Sequence, residues 1–438
     1  MKSMIKSTGT ILAATLSLSA CGLLDVNNPN NLVESSIEQT SAAAAVVNGS
    51  QALAAQAIGY IWSPLLVATD EFTWIGSRDA WGSLDQGFVS DASNEFTDAA
   101  YPYLAQARWM ADRAVAILEE HVAEDASFSD ELARAHLYAG LVYMIVGEVQ
   151  QDFTISDKRE SGPPVGPDQM YTMLDDAITH LDAAISGTTD DEVKLQGTAL
   201  RARAKQSRAI WDKIKPSPNT GAPLVSSSGA VADALAVISM AGGVTADWNY
   251  DLHYSASTVG NDLAFEANSR KENQVDHSLV SFTADNDIDQ IITMDPIDNI
   301  PDPAFERILS HFKDGAFNSK GSQYAPNTDA STRLMHLILA EDALANGDMD
   351  GFTTHINHVR AMDDLTPYSG QVDAMELLQY ERRINTFAMG LRLSDMYRFG
   401  VTDTHWQSVS DAIKAPGTLL PITLVEVRAN CYLNGLGC

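Results

Sequence analysis

The chain has 438 residues, a formal net charge of −30 and 45% hydrophobic residues. An acidic balance of this size argues against nucleic acid and against anionic lipid headgroups as partners, and suits a neutral ligand, a cation or a basic partner surface. The length fits two or three ordinary domains or one large helical array.

Lys2 and Lys6 open the sequence with positive charge, residues 11–18 form a short apolar run, and Leu18-Ser19-Ala20-Cys21 closes it. Residues 1–20 therefore read as a secretion signal with small residues before the cut. The residue after the cut is Cys21, whose thiol is placed to accept a diacylglycerol. This is the pattern of a bacterial lipoprotein; a plain signal peptide followed by a chance cysteine is the competing reading. Each buried acyl CH₂ contributes about 0.8 kcal/mol, so several chains anchor a soluble domain firmly. Loss of Lys2 and Lys6 takes the mature chain from −30 to −32. No other apolar stretch approaches the ~20 residues of a spanning helix, so the lipid is the membrane attachment expected. Residues 21–35, polar and asparagine-rich with Pro29, read as a tether, and residues 36–438 as a single domain.

A helical pattern starts near Ile37 and runs to about Ile58. Residues 60–98 carry Tyr60, Trp62, Phe72, Trp74, Trp81 and Phe88 among glycines and aspartates without a helical period, which predicts a long structured loop region. Helices are expected again at 101–121, 129–148, 167–186 and 190–214, with Ser161-Gly162-Pro163-Pro164 as a break between pairs and Asp168 as a cap. Small residues recur at the contact positions: Ala133, Ala135, Ala139 and Gly140, then Ala177, Ala183 and Ala184, then Ala199, Ala202 and Ala204. Helix pairs of about 34 residues with such positions are the mark of a tetratricopeptide-like array, here without the strict consensus.

Residues 215–325 break the pattern with Pro216, Pro218 and Pro223, a short helix near 232–240, and a strand at 291–294; they read as an irregular insertion. The last third is helical again at 330–346, 349–361 and 372–398, with Gly347 and Gly370 as stops, and residues 417–422 are extended. The expected fold class is mainly α, a tetratricopeptide-like helical array with long irregular loop insertions. With Cys21 taken by lipid, Cys431 and Cys438 are left to pair in an oxidising compartment and staple a small C-terminal loop.

Four stretches resemble one family in the correct order. Leu24-Asp25-Val26 with Pro29-Asn30 is similar to the "LDxxPxN" opening of the SusD/RagB outer-membrane lipoproteins. Arg333-Leu334-Met335 through Ala340-Glu341-Asp342-Ala343 to Gly347-Asp348, then Asn357-His358-Val359-Arg360, resembles that family's "RLAEvyLxxAEAxxxxGD" and "lNxvR". Glu381-Arg382-Arg383, Gly390-Leu391-Arg392 and Asp395-Met396-Tyr397-Arg398-Phe399-Gly400 resemble "ERRxExxxEGxRxxDLxRxG", and Leu420-Pro421-Ile422 with Glu426 and Asn430 resembles "LPIPxxExxxN". Asn385, Met389 and Thr423 depart from the pattern. The resemblance implies a helical, cell-surface lipoprotein that captures oligosaccharides or other nutrients and caps a SusC-like TonB-dependent outer-membrane transporter.

Sugars offer flat C–H faces to aromatic rings and hydroxyls to polar groups, and Trp and Tyr serve both at low entropic cost. Two clusters in the irregular regions fit: Trp74, Arg78, Asp79 and Trp81, and Trp248, Asn249, Tyr250, Asp251 and Tyr254; burial in the core is the competing reading for each ring. The spacing of Arg392, Asp395 and Arg398 puts them face to face on a helix, as a ligand site or, in preference, a structural salt-bridge network. The run Asp285-Asn286-Asp287-Ile288-Asp289 reads as a calcium ligand set or as a solvated loop, and lacks the EF-hand glycine and distal glutamate. No GxSxG, HExxH, P-loop or GxGxxG is present. No catalytic residue, metal or cofactor is otherwise expected: the chain is read as a binding protein, not an enzyme. A helical scaffold lipoprotein without a small-molecule ligand, and a surface glycoside hydrolase, are the alternatives.

Overall fold

The computed structural model describes residues 34–157, 160–226, 228–285, 287–312 and 322–438. The signal segment, Cys21 and all but the end of the tether lie outside these residues. The described residues up to Ala45 belong to one unit and those from Val46 on to another. The described part of the first holds the turns Glu34–Ile37 and Thr40–Ala42 and the start of a long helix, α1 (Ala43–Val67).

Helix α1 runs nine residues past the expected end at Ile58 and carries Tyr60 and Trp62, which the sequence reading placed in a loop. Residues 61–67 are all buried, Ser63 and Pro64 as well as Ile61, Trp62, Leu65, Leu66 and Val67, and so on every side of the helix. A helix buried all round shows no amphipathic period, which is why it was invisible. After it come β1 (Phe72–Trp74) and a short helix, α2 (Asp79–Asp85).

The helical array is α3 (Glu95–Glu124), α4 (Ser129–Val149), α5 (Tyr171–Gly187) and α6 (Asp191–Ile214), each packed on the next. Their starts are set by side-chain acceptors. Asn94 takes the amides of Phe96 and Thr97, and Asp190 those of Glu192 and Val193, satisfying first-turn N–H groups that have no helical partner. Asp168 is not the cap expected of it: it lies in a 3₁₀ turn, Pro167–Gln169, before α5 begins. The small residues let the helices approach. A Cβ on Gly140 would stand 2.5 Å from Leu181 Cγ and 3.2 Å from the Ala177 carbonyl oxygen.

Beyond the array, α7 (Ala230–Met240) packs on α6 and leads to β2 (Asn249–Leu252). β3 (Asn273–Val275) pairs antiparallel with β1; β4 (Val280–Phe282) and β5 (Ile288–Ile291) form a hairpin. A helix α8 (Pro303–Leu309) follows, and β6 (Asn327–Ser331) pairs antiparallel with β2. The expected strand at 291–294 is thus β5, shifted earlier in the chain. β6 runs straight into α9 (Thr332–Ala345), whose Leu334 amide is capped by the Ser331 hydroxyl. Helices α10 (Met349–Ala361) and α11 (Ala374–Asn385) pack on α9 over Leu337, Phe352, Ile356, Leu377 and Leu378.

The single helix expected at 372–398 is two, α11 and α12 (Arg392–Phe399). Between them Ala388 and Gly390 both adopt positive φ, 59° and 75°. A Cβ on Gly390 would meet the Trp62 ring at 2.5 Å, so the chain breaks where the buried indole of α1 needs room. Two short helices, Asp411–Lys414 and Leu424–Ala429, close the chain, with Cys431 and Cys438 in a disulfide.

The charged residues of the family-like motifs are inside. Arg398 is fully buried and pairs with Glu341 and, at 2.8 Å, with Asp395. Arg382 holds the other Asp395 oxygen at 2.8 Å. Glu341 also accepts from Gln206 of α6 at 3.1 Å and from the Val225 amide at 2.9 Å. Arg360 joins Asp295 and Glu381, and Arg333 joins Asp247, Asp363 and Asn385. Arg392 does not face Asp395 as its spacing suggested; it grips Asp70, beyond α1, at 2.6 Å. These residues are a structural framework.

Candidate ligand-binding surface

The first aromatic cluster is divided by burial. Trp74 ends β1, half-buried, with its ring against Gly82. Arg78 precedes α2; its guanidinium lies 4.3 Å from the Phe96 ring centroid and pairs with Glu95. Asp79 is exposed. Trp81 is fully buried and stacks on Phe96 at 3.5 Å, so its ring is a core element and cannot receive a ligand as placed.

The second cluster follows the strand alternation of β2, where successive side chains point to opposite faces. Tyr250 points inward, and Tyr254 just beyond β2 is also buried, its hydroxyl donating to the Ala55 carbonyl at 2.9 Å and accepting from Asn327 at 3.0 Å. These two rings are packing residues, a correction to the sequence reading. Trp248 is half-buried and tied through its backbone to Thr332. Asn249 and Asp251 point the other way, into a cavity of about 80 Å³ shared with Arg307, Asn385 and Met389. It has about half the volume of the open pocket beside Tyr60, and suits water. The acids of the expected calcium run lie in and beside the β4–β5 turn, where Asp287 pairs with Lys271; Asn286 is outside the described residues.

A different set of residues converges where the first cluster ends. Tyr60 of α1 and Tyr103 of α3 stack, centroids 4.0 Å apart and 17° from parallel. Beside Tyr60 an open pocket of about 160 Å³ is lined by Gln56, Asn261, Asp262, Phe265, Gln323 and Tyr324. Phe265 and Glu266 begin a π-helical turn, Phe265–Arg270, a distortion often found at functional sites. Burial raises Asp262 to about 6, and burial followed by the Asp262 charge raises Glu266 to about 7. Arg78 reaches Glu266 at 3.9 Å, and the Glu272 carboxylate accepts from the amides of Ser77 and Arg78 at 2.9 and 3.0 Å. Arg78 thus reaches Glu266, the neighbour in sequence of Phe265 in the pocket wall. The pocket offers amphipathic rings, amides and one raised carboxyl, Asp262, a mixture matched to a polyhydroxylated ligand. Apart from Tyr60, none of these rings was singled out, since the contributors are spread from Gln56 to Tyr324.

No protein-family profile matches the sequence, and no curated protein matches it. Solved structures do match in shape. The helical array with its loop insertions is the SusD-like fold. It superposes on a SusD superfamily protein from Bacteroides fragilis with a TM-score of 0.62, 15% identity, and 90% of this chain and 98% of that one covered. A SusD superfamily protein from Parabacteroides distasonis gives 0.62, 13%, 91% and 98%. A SusD-like carbohydrate binding protein from Bacteroides vulgatus gives 0.55, 10%, 82% and 83%. Among the described residues no helix is long and apolar enough to cross a membrane.

Proposed function

We propose that this chain is a nutrient-binding lipoprotein of the cell surface, anchored through Cys21, that holds an oligosaccharide by binding and not by chemistry. In this reading it caps a SusC-like TonB-dependent outer-membrane transporter, and the ligand is passed from one to the other. The Tyr60–Tyr103 stack beside Gln56, Gln323 and the raised Asp262 carboxyl carries the reading, on a fold shared with a carbohydrate-binding protein. The lipobox supports the anchor, and the charge of −32 supports a neutral ligand.

Calorimetry of the purified protein against a panel of neutral oligosaccharides tests it. Binding is expected without release of reducing sugar, and Tyr60→Ala is expected to weaken it about tenfold, roughly 1.4 kcal/mol, the scale of one aromatic contact. Unchanged affinity in that variant would move the site elsewhere; no binding to any glycan would remove the sugar. A pull-down from gently solubilised outer membrane separates the partner question: a stoichiometric barrel is expected, and a preparation lacking one would favour a scaffold.

A further inference from the structure

Three imidazoles meet between α9 and α10. His336 lies on α9, and His355 and His358 lie on α10, three residues apart and so on one face of that helix. One nitrogen from each ring falls within 4.8 Å of the other two. We propose that His336, His355 and His358 form a binding site for a divalent transition metal of the zinc class.

The geometry supports this in three ways. His336 Nε2 lies 3.1 Å from the Val244 carbonyl oxygen. A carbonyl only accepts, so Nε2 carries the proton and Nδ1 presents its lone pair. A ring nitrogen that donates to a backbone carbonyl while its partner faces the metal is the usual supporting arrangement for a ligating histidine. Second, His336 Nδ1 and His355 Nδ1 are 3.2 Å apart. Zinc–nitrogen bonds of about 2.0–2.1 Å at a tetrahedral angle place two ligand nitrogens about 3.3–3.4 Å apart, so the observed separation already matches a shared ion. Third, His358 Nδ1 is buried and has no hydrogen-bond partner among the described residues, although its ring centroid is 4.9 Å from that of His336. A buried polar atom without a partner costs free energy, and an ion in this cluster would satisfy it.

The environment keeps the rings in ligand form. Burial, then the neighbouring His358 and His355, lower His336 to about 3; burial lowers His355 and His358 as well. All three are neutral imidazoles at physiological pH, as borderline cations require. Three protein ligands leave a fourth position for water. The ion would join α9 to α10 and, through Val244, to the turn after α7. A second imidazole pair, His136 Nδ1 and His180 Nδ1 at 2.9 Å between α4 and α5, has no third histidine in such a cluster and serves as an internal control.

Zinc titration of untagged, chelator-treated protein by calorimetry tests the site. A stoichiometry of about one is expected, with Tm rising as free zinc rises. His355→Gln and His358→Gln, both at half-exposed positions, are expected to abolish uptake while keeping the metal-free Tm; His180→Gln is expected to retain it. Should the glutamine variants fail to fold, Co²⁺ added to the wild-type protein gives an independent readout, and intense tetrahedral d–d bands are expected. No zinc uptake below millimolar concentrations, a pale octahedral cobalt spectrum, or uptake lost in His180→Gln and kept in His355→Gln would each overturn the assignment.

Discussion

The array α3–α6 and the C-terminal helices α9–α12 are joined helix to helix, yet they cohere by different physics. The array closes on alanines, glycines and leucines, and its contacts are matters of shape. The C-terminal helices bury Arg333, Arg360, Arg382 and Arg398 with their carboxylates, and their contacts are matters of charge. Buried ion pairs recover their desolvation cost only when every partner is present. Apart from the buried Arg203–Glu148 pair that ties α6 to α4, the array should therefore be most sensitive to changes of volume, and the C-terminal helices most sensitive to changes of charge.

The largest break in that comparison is Arg398→Met. It leaves Glu341 and Asp395 short of their shared cation in the core, and is expected to cost about 3–5 kcal/mol, read as a fall in the urea midpoint. Next is a pH effect confined to the charged region. Burial, only partly offset by the Ala388 amide, raises the fully buried Glu71 to about 8. A carboxyl with a raised folded pKa binds its proton more tightly in the native state. Its contribution is intact below the unfolded value, about 4.3, and stability is lost as pH rises from there towards 8. Glu71→Gln keeps the acceptor for Ala388 and should remove that loss, so its advantage over wild type in urea melts grows between pH 5 and 8, both bounds being approximate. An advantage that is flat with pH would assign the effect to packing. Asp395 has the opposite sign: burial raises it, but Arg382 and Arg398 together bring it to about 2, so its stabilisation is lost only in acid, from about pH 4 downward.

The smallest effect sharpens the array's side. Gly140→Ala gains about 1 kcal/mol of helix propensity, but its methyl would collide with Leu181 Cγ and press on the Ala177 carbonyl. Overpacking costs about 1–3 kcal/mol, so a net loss near 1 kcal/mol is expected in thermal melts. A gain would mean that α4 and α5 slide apart more readily than their packing suggests.

The same division explains what could be read from sequence. The array was legible because its helices alternate apolar faces with polar turns, and its limits fell within a few residues except at α3, which begins at Glu95 rather than 101. The end of α1 was hidden by burial on all sides. The break between α11 and α12 was hidden because Ala388 gives no hint of positive φ and the apolar period continues across it. The family-like motifs were visible but pointed to the framework, not to a ligand. Of the chosen rings, Trp81, Tyr250 and Tyr254 turned inward, since composition does not say which face of a short element is covered. The Tyr60–Tyr103 stack was beyond reach, because only folding brings residues 43 positions apart into contact. The histidine spacing 355–358 was on view, but its third member sits on another helix.

Arg203 of α6 lies where the two regions meet. Its guanidinium is fully buried and donates to Glu148 at 2.6 Å, to the Asp329 carbonyl at 2.7 Å and to the Met389 carbonyl at 2.8 Å. Two of its three acceptors stand 126 and 186 residues further along the chain. Contacts between such distant residues form late, since a long loop must close before they reward it. On a chain synthesised amino-terminus first, α6 is made well before those carbonyls are. Until they arrive its arginine has Glu148 alone, and the array is completed only with the last helices.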